Sequence, residues 1–308
     1  MSAPLPFLRW AGGKRKLLPT IIPLLPACFE PSTNRFFEPF VGGGALMLAL
    51  GDPDGDVFVP GRKLVINDAN PELIATYLAI RDDVEALIRA IGKLAKDTSR
   101  TQYDKVKKSN PSSNVARGAR FIFLNRTCFN GLWRVNGKGE FNVPYAKLVD
   151  PFIFDAEHLR AVSARLAGAQ IRLGSYVTAV NDAKAGDVVY FDPPYLPLTP
   201  SASFSKYAKD DFGQTEQYAL SGVIRSLTDR GVFVVCSNSD TPLTRQIFGP
   251  ELDLWQISVT RSISAAAASR TRVNEVLGVN FHPATTSTAL THLQTPPRPL
   301  LSASPPTP

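Results

Sequence analysis

Residues 188–195 read Val-Val-Tyr-Phe-Asp-Pro-Pro-Tyr, an apolar strand that stops at an acid. Val188 to Phe191 is β-branched and aromatic throughout, the composition of a buried strand. Asp192 follows at the strand's carboxyl end, where open α/β sheets place their ligands. Pro193 and Pro194 fix two successive φ angles and remove two backbone donors, so the turn is stiff and its carbonyls are left to accept hydrogen bonds. Tyr195 adds a flat ring. A carboxylate, accepting carbonyls and a ring in one rigid turn suit a planar substrate bearing an –NH2 group. The same residues also suit an ordinary strand exit, because Asp and Pro are common in loops. Support has to come from the rest of the chain.

Upstream, residues 36–50 read Phe-Phe-Glu-Pro-Phe-Val-Gly-Gly-Gly-Ala-Leu-Met-Leu-Ala-Leu, which predicts a strand, a glycine turn and a helix. This begins a nucleotide-binding βα unit whose helix N-terminus offers free N–H groups. The dinucleotide fingerprint fails, since Met47 stands at its third glycine position, which argues against a nicotinamide cofactor. Leu64 to Ile66 is a second strand, ending at Asn67-Asp68, with a helix from Asn70 to Ile80. An acid there can bind a ribose diol, whereas Asp68 or Asn70 can equally cap the helix. Near the N-terminus, Gly12 and Gly13 precede Lys14, which can neutralise a carboxylate. The stretch lacks the first glycine and the Ser or Thr of a P-loop. Further strands are expected at Ile171–Leu173, Val232–Cys236, Leu254–Val259 and Asn274–Val279, the last two as a pair around an Arg261–Arg272 loop. Helices are expected at Asp155–Leu166 and Gln214–Arg230, and residues 196–212 form a polar loop with the character of a lid.

The 308 residues carry a net charge of +7, and its location is informative. Residues 99–150 hold ten Lys or Arg (Arg100, Lys105, Lys107, Lys108, Arg117, Arg120, Arg126, Arg134, Lys138, Lys147) against Asp104, Glu140 and Asp150. The remainder holds 24 of each sign, so the whole excess lies in this stretch. A one-sided excess of this kind reads as a nucleic-acid surface more readily than as a solvated face. Within it a helix runs from Asn114 to Leu124. Asn136-Gly137 then signals a hairpin that sets Leu132–Val135 opposite Glu140–Val143, a ribbon sized for a DNA major groove. No apolar run approaches the roughly 18 residues of a membrane span. Cys28, Cys128 and Cys236 are odd in number and far apart, which indicates neither a disulfide framework nor a zinc site and fits a reducing cytoplasm. Only three histidines occur, none near a motif, so histidine-based catalysis is not expected, and no metal site is expected either. From Pro283 on, seven of 26 residues are Pro and none is acidic, a composition expected to stay disordered.

Seven segments in order resemble the Dam-type DNA adenine-N6 methyltransferases, the α group of the D12 class. They are Phe-Leu-Arg-Trp-Ala-Gly-Gly-Lys (7–14), Glu-Pro-Phe-Val-Gly-Gly-Gly (38–44), Asn-Asp-Ala-Asn (67–70), Asn-Arg-x-x-Phe-Asn-Gly-Leu (125–132), Gly-Glu-Phe-Asn-Val-Pro (139–144), Asp-Pro-Pro-Tyr (192–195) and Arg-Ser-Ile-Ser (261–264). The resemblance implies a Rossmann-like α/β methyltransferase sheet using S-adenosylmethionine (AdoMet). Residues 1–81 and 150–282 would form the catalytic domain, 82–149 an inserted helical and β-hairpin target-recognition domain, and 283–308 the tail.

It further implies site residues. Trp10, Lys14, Phe40, Gly42, Gly44, Asp68 and Asp192 stand at AdoMet-binding positions, with Asp68 on the ribose and Lys14 on the methionine carboxylate. Asp192, Pro193, Pro194 and Tyr195 stand at the catalytic turn. Arg9, Arg126, Phe129, Asn130, Leu132, Arg134, Asn142, Pro144 and Lys147 stand at DNA-contacting positions. Arg134 would read a guanine, and Leu132 and Pro144 a thymine methyl. Two departures stand out from the GATC-specific bacterial enzyme: Arg9 replaces its Lys, and Phe129 its Tyr. Both replacements preserve the contact type, and GATC is the expected target. The partners implied are double-stranded DNA and, for a restriction-modification role, a cognate endonuclease; a cytoplasmic monomer is expected. Two other readings compete. One is an amino-methyltransferase acting on cytosine, RNA or protein, which tends to carry Ser or Asn in place of Asp192. The other is a catalytically silent DNA-binding protein, against which the intact Asp192, Gly42 and Gly44 speak.

Overall fold

A computed structural model describes residues 4–50, 59–195, 212–260, 272–283, 288–293 and 300–301. In chain order the regular elements are α1 (Leu18–Ile21), β1 (Phe36–Glu38), α2 (Ala45–Ala49), β2 (Leu64–Asp68), α3 (Pro71–Asp82), α4 (Val84–Ala95), α5 (Arg100–Lys108), α6 (Asn114–Thr127), α7 (Ala156–Leu166), β3 (Gln170–Leu173), α8 (Tyr176–Ala179), β4 (Val188–Phe191), α9 (Gln214–Asp229), β5 (Phe233–Ser239), α10 (Pro242–Phe248), β6 (Asp253–Thr260), β7 (Arg272–Val279) and β8 (Thr291–Leu293). The fold is α/β, of the Rossmann-like methyltransferase type. The chain divides into two compact units, Met1–Lys16 with Val41–Ser175, and Leu17–Phe40 with Tyr176–Pro308.

In the second unit β1, β4, β5, β7, β6 and β8 lie side by side in that order. β1, β4 and β5 run parallel, with Phe36 opposite Val188 and Phe191 opposite Cys236. Every residue of β4 and β5 is buried, as expected of parallel strands covered on both faces. β7 enters antiparallel to β5 and pairs with β6 from Asp253↔Val279 to Thr260↔Arg272, the predicted pair. The parallel strands therefore end together, and Phe40, Asp192 and Ser237-Asn238 lie at or just beyond those carboxyl ends.

The tail expectation is corrected in part. Thr291–Leu293 pairs antiparallel with β6 (Leu254↔Leu293, Trp255↔His292), and Leu301 bridges to Phe281. An edge strand offers a row of unpaired backbone groups that three residues can satisfy without a core of their own. The lid segment 196–211 and the 261–271 loop lie outside the described residues, apart from Phe212 at the lid's end.

In the first unit β2 and β3 are parallel (Val65↔Gln170 to Asp68↔Leu173), and helices α3, α4, α6 and α7 pack together around them. These helices, and α5, begin where the sequence supplies an acceptor for their orphan N–H groups. Asn70 Oδ1 accepts from Glu72 and Leu73, with Pro71 at the first helical position. Asp83, Ser99, Ser113 and Asp155 cap α4, α5, α6 and α7 in the same way. The segment 82–149 packs inside this unit and has its own apolar cluster of Tyr103, Val106, Phe123, Leu124, Cys128, Phe141 and Val143.

The expected ribbon is thinner than predicted. It consists of one bridge, Val135↔Phe141, flanked by Asn142 N–H to Arg134 C=O (3.0 Å) and Asn136 N–H to Glu140 C=O (2.9 Å). Its turn is not built on Gly137. Gly139 takes the left-handed conformation (φ 78°), closing a three-residue loop, while Asn136 Oδ1 accepts the N–H of Lys138 and of Glu140.

Candidate active site

In the second unit the Asp-Pro-Pro-Tyr turn is held from three sides. Ser237 Oγ donates to Asp192 Oδ1 at 2.8 Å and lies 3.0 Å from the wholly buried Tyr190 hydroxyl. Gln217 Nε2, from α9, donates to the Pro194 carbonyl at 2.9 Å and is itself fixed by Asn238 Nδ2 at 3.0 Å. Tyr195 donates its hydroxyl to Glu275 Oε2, on β7, at 3.0 Å. Burial, with the Asp192 and Glu275 carboxylates nearby, pushes the Tyr195 phenol well above its ordinary pKa, so it stays a neutral donor. The Pro193 carbonyl, by contrast, accepts no hydrogen bond among the described residues. Phe40 stacks on Tyr176 (centroids 5.2 Å) and meets Phe191 and Phe212 edge-on, an aromatic cluster in this same unit.

In the first unit the glycine turn is closed by bonds and by rings. Asp68, at the end of β2, accepts from Gly42 N–H through Oδ2 (3.1 Å) and from Asn70 N–H through Oδ1 (2.9 Å). Burial raises the Asp68 pKa, and the N–H groups of Asn70 and Gly42 oppose that rise. Asn70 is therefore the helix cap, and Asp68 ties the glycine turn to the strand end. Gly44 N–H is taken by Val41 C=O (2.7 Å), so the N–H groups of Gly42 and Gly44 are both engaged within the turn. Their glycine identity matters sterically instead. A Cβ on Gly42 would lie 2.5 Å from Trp10 Nε1, and one on Gly44 2.7 Å from the Tyr77 hydroxyl, which donates to Gly42 C=O. Lys14 is buried, with its ammonium 2.8 Å from Gly12 C=O.

The nine residues implied as DNA contacts, all in this unit, separate by exposure. Phe129 is 47% exposed, and Arg9, Asn130, Arg134, Pro144 and Lys147 are exposed as well. The Arg9 guanidinium has no hydrogen bond or ion pair among the described residues. Arg134 Nε donates to Asn142 Oδ1 (2.7 Å), so Asn142 aims Arg134 and leaves its two terminal nitrogens outward. Leu132 is half-buried against the apolar cluster. Arg126 turns inward. It donates to Phe7 C=O (2.5 Å), lies over the Phe152 ring, and keeps its Nε buried without a partner among the described residues; burial, then nearby Arg9, lowers its pKa. The basic excess is thus not one surface. Arg117 and Arg120 engage Glu72, and Lys107 reaches Val143 C=O, while Arg100, Lys105, Lys108, Arg134, Lys138 and Lys147 are exposed.

Comparison with known proteins fits these arrangements. The family described as D12 class N6 adenine-specific DNA methyltransferase matches residues 10–263. The chain belongs to this family. It is 37% identical to the Type II methyltransferase M1.LlaDCHI of Lactococcus lactis subsp. cremoris, over 90% of this chain and 95% of that protein. It is 39% identical to the Type II methyltransferase M.MjaIII of Methanocaldococcus jannaschii, over 76% and 84%. It is 32% identical to the DNA adenine methylase of Escherichia coli (strain K12), over 89% and 94%.

As a D12 methyltransferase the chain is an adenine-specific DNA methyltransferase, and the family implies AdoMet as methyl donor. The first-unit cradle fits that donor. Its backbone is stripped of Cβ atoms beside an indole, and Asp68 is an acceptor anchored at the strand end. Among the described residues no cluster of His, Cys, Asp or Glu is arranged to hold a metal, and no helix is long and apolar enough to cross a membrane. Reading the sequence missed Ser237, Gln217, Asn238 and Glu275. Only Ser237-Asn238 carried a signal, as the polar pair ending a buried strand.

Proposed function

We propose that this D12 methyltransferase methylates the N6 amine of an adenine turned out of a duplex, within GATC. AdoMet supplies an electrophilic methyl group, with Asp68 on its ribose, Lys14 on its carboxylate, and Trp10, Phe40, Gly42 and Gly44 shaping its site. The adenine amine is a weak nucleophile because its lone pair is delocalised into the ring. Asp192 and the Pro193 carbonyl accept its two hydrogens, which favours the pyramidal geometry in which that lone pair is localised. Tyr195 stacks on the base, recovering on the order of 1–3 kcal/mol against the few kcal/mol that eversion costs.

The observation that carries this reading is the contrast between two adjacent carbonyls. Gln217 occupies that of Pro194, while that of Pro193 accepts from no donor among the described residues. An acceptor on so rigid a turn is available for a substrate N–H.

For recognition, Arg134 aimed by Asn142 reads a guanine, Phe129 inserts its exposed ring into the stack, and Arg9 offers donors to a second base. Pro144 and Leu132 meet thymine methyls, Asn130 and Lys147 contact the strand beside them, and half-buried Arg126 supports the surface from below. Catalytic halves 1–81 and 150–282, with 82–149 as the recognition segment, act as a cytoplasmic monomer. Two similar proteins carry Type II methyltransferase names, which supports a cognate endonuclease as partner.

Methylome sequencing of DNA from cells expressing the chain tests the target directly. N6-methyladenine in GATC is expected, and another motif overturns that specificity. Asp192→Ala is expected to abolish labelled-methyl transfer while duplex binding persists; full activity in that variant overturns the catalytic assignment.

A further inference from the structure

Asn125 lies near the carboxyl end of α6, wholly buried, in none of the roles assigned so far. Its side chain makes three hydrogen bonds. Oδ1 accepts the Arg9 N–H at 2.9 Å, and Nδ2 donates to Arg9 C=O and to Gly131 C=O, both at 2.8 Å. An amide that both accepts from and donates to one residue's backbone fixes that residue in position and direction, as a neighbouring strand would. The third bond carries the constraint to the turn that bears Phe129 and Asn130.

A second, independent observation joins the same two segments. Asn130 and Gly131 are both left-handed (φ 55° and 64°), and a Cβ on Gly131 would lie 2.4 Å from the Arg9 Cβ. The Arg9 stem therefore lies directly against the backbone of the turn. Arg9 and residues 129–131 are 120 to 122 positions apart in sequence, yet one buried side chain and one missing Cβ hold them together.

We infer that Asn125 is a positioning residue for sequence discrimination, aligning Arg9 with the Phe129–Gly131 turn so that both meet one DNA site. The inference rests on the base-reading role proposed for Arg9. A buried amide suits this task because a lost partner is costly: an unsatisfied buried donor or acceptor costs about 1–3 kcal/mol, so the register does not slip. The exposed Arg9 guanidinium, with no hydrogen bond or ion pair among the described residues, would otherwise sample many orientations.

The test is discrimination: kcat/KM on a duplex carrying the motif found by methylome sequencing, divided by kcat/KM on duplexes with one base pair of that motif replaced. The ratio does not depend on the active fraction, so a poorly folding preparation still gives an answer. Asn125→Ser is expected to lower the ratio at least tenfold at one or more positions. Asn125→Asp, which keeps the shape and the acceptor but loses both donors, is expected to do the same. In an Arg9→Ala background, Asn125→Ser is expected to lower the ratio at the Arg9-dependent position by less than threefold. An unchanged ratio in both Asn125 variants, or an equal loss with and without Arg9, overturns the inference. If Arg9→Ala alone leaves every ratio unchanged, the base-reading role of Arg9 is what fails, and the inference with it.

Discussion

Gly42→Ala puts the glycine turn to a quantitative test. Gly42 has φ 46°, and a methyl there would lie 2.5 Å from Trp10 Nε1 and 2.8 Å from Cδ1. Carbon contacts settle near 3.5 Å, so the indole would have to retreat by roughly 1 Å. Retreat is obstructed, since the ring is stacked on Phe121 at 6.3 Å. The left-handed conformation costs an alanine about 1–2 kcal/mol, and overpacking of this kind about 1–3 kcal/mol. Together, about 2–5 kcal/mol would be lost either from the folded protein or from the donor-binding conformation. Borne by the fold, it lowers the melting temperature by about 5–15 °C. Borne by the site, it weakens AdoMet binding at least tenfold, since each 1.4 kcal/mol is a factor of about ten. Thermal unfolding and calorimetric AdoMet titration on one preparation measure both. Gly137→Ala is the control, because a Cβ there meets nothing within 4 Å. A Gly42→Ala protein that melts like wild type and binds AdoMet within twofold of it would refute the steric account of the turn.

Ser237→Ala removes the donor to Asp192 Oδ1 and should lower kcat about tenfold or more, with duplex affinity unchanged by gel shift, since hydrogen bonds to charged groups contribute about 1.5–3 kcal/mol. Equal kcat would show that Asp192 needs no such support. Tyr195→Phe keeps the ring and loses the hydroxyl with its bond to Glu275, so kcat should change less than Tyr195→Ala changes it; the reverse order would place the function in the hydroxyl. For Asp68, burial raises the folded-state pKa above the ordinary carboxylate value. Its ionisation in the folded protein is therefore disfavoured, and the stability this group contributes is full below the unfolded pKa and lost as pH rises through the folded one. If Asp68 holds the ribose as proposed, AdoMet binding needs the charged acceptor and has the opposite slope, weakening as pH falls through that raised value. Asp68→Asn should bind AdoMet more weakly at neutral pH and lose this acid limb; a limb retained in the variant would assign it to another group.

Much of the site was legible because its signals are local. Val188–Phe191 is a strand for reasons contained in its four side chains, and Pro193 and Pro194 stiffen the turn whatever surrounds them. Strand ends at Asp68 and Asp192, the helices after Asn70 and from Asp155, and the β6–β7 pair follow from periodicity and terminal residues in the same way. Asn136-Gly137 misled because its signal was also local but ambiguous: Gly139, two residues on, gave the chain a second site for positive φ, and the Asn136 side chain bonded across the longer loop.

The sequence by itself determined the groups on which the proposed chemistry rests: a carboxylate, a pair of prolines, a run of glycines, and the Arg and Phe positions proposed to face DNA. The tertiary structure alone decided how those groups are held and which remain available. Ser237, Gln217 and Glu275 reach the Asp-Pro-Pro-Tyr turn from positions 45, 23 and 80 residues away from their partners, and Arg126 turns inward to Phe7 across 119. Hydrogen bonds of this kind form between side chains that only the packed core brings within 3 Å. No local propensity or charge count encodes them, and four of the ten basic residues in the recognition stretch are committed to such internal contacts for the same reason.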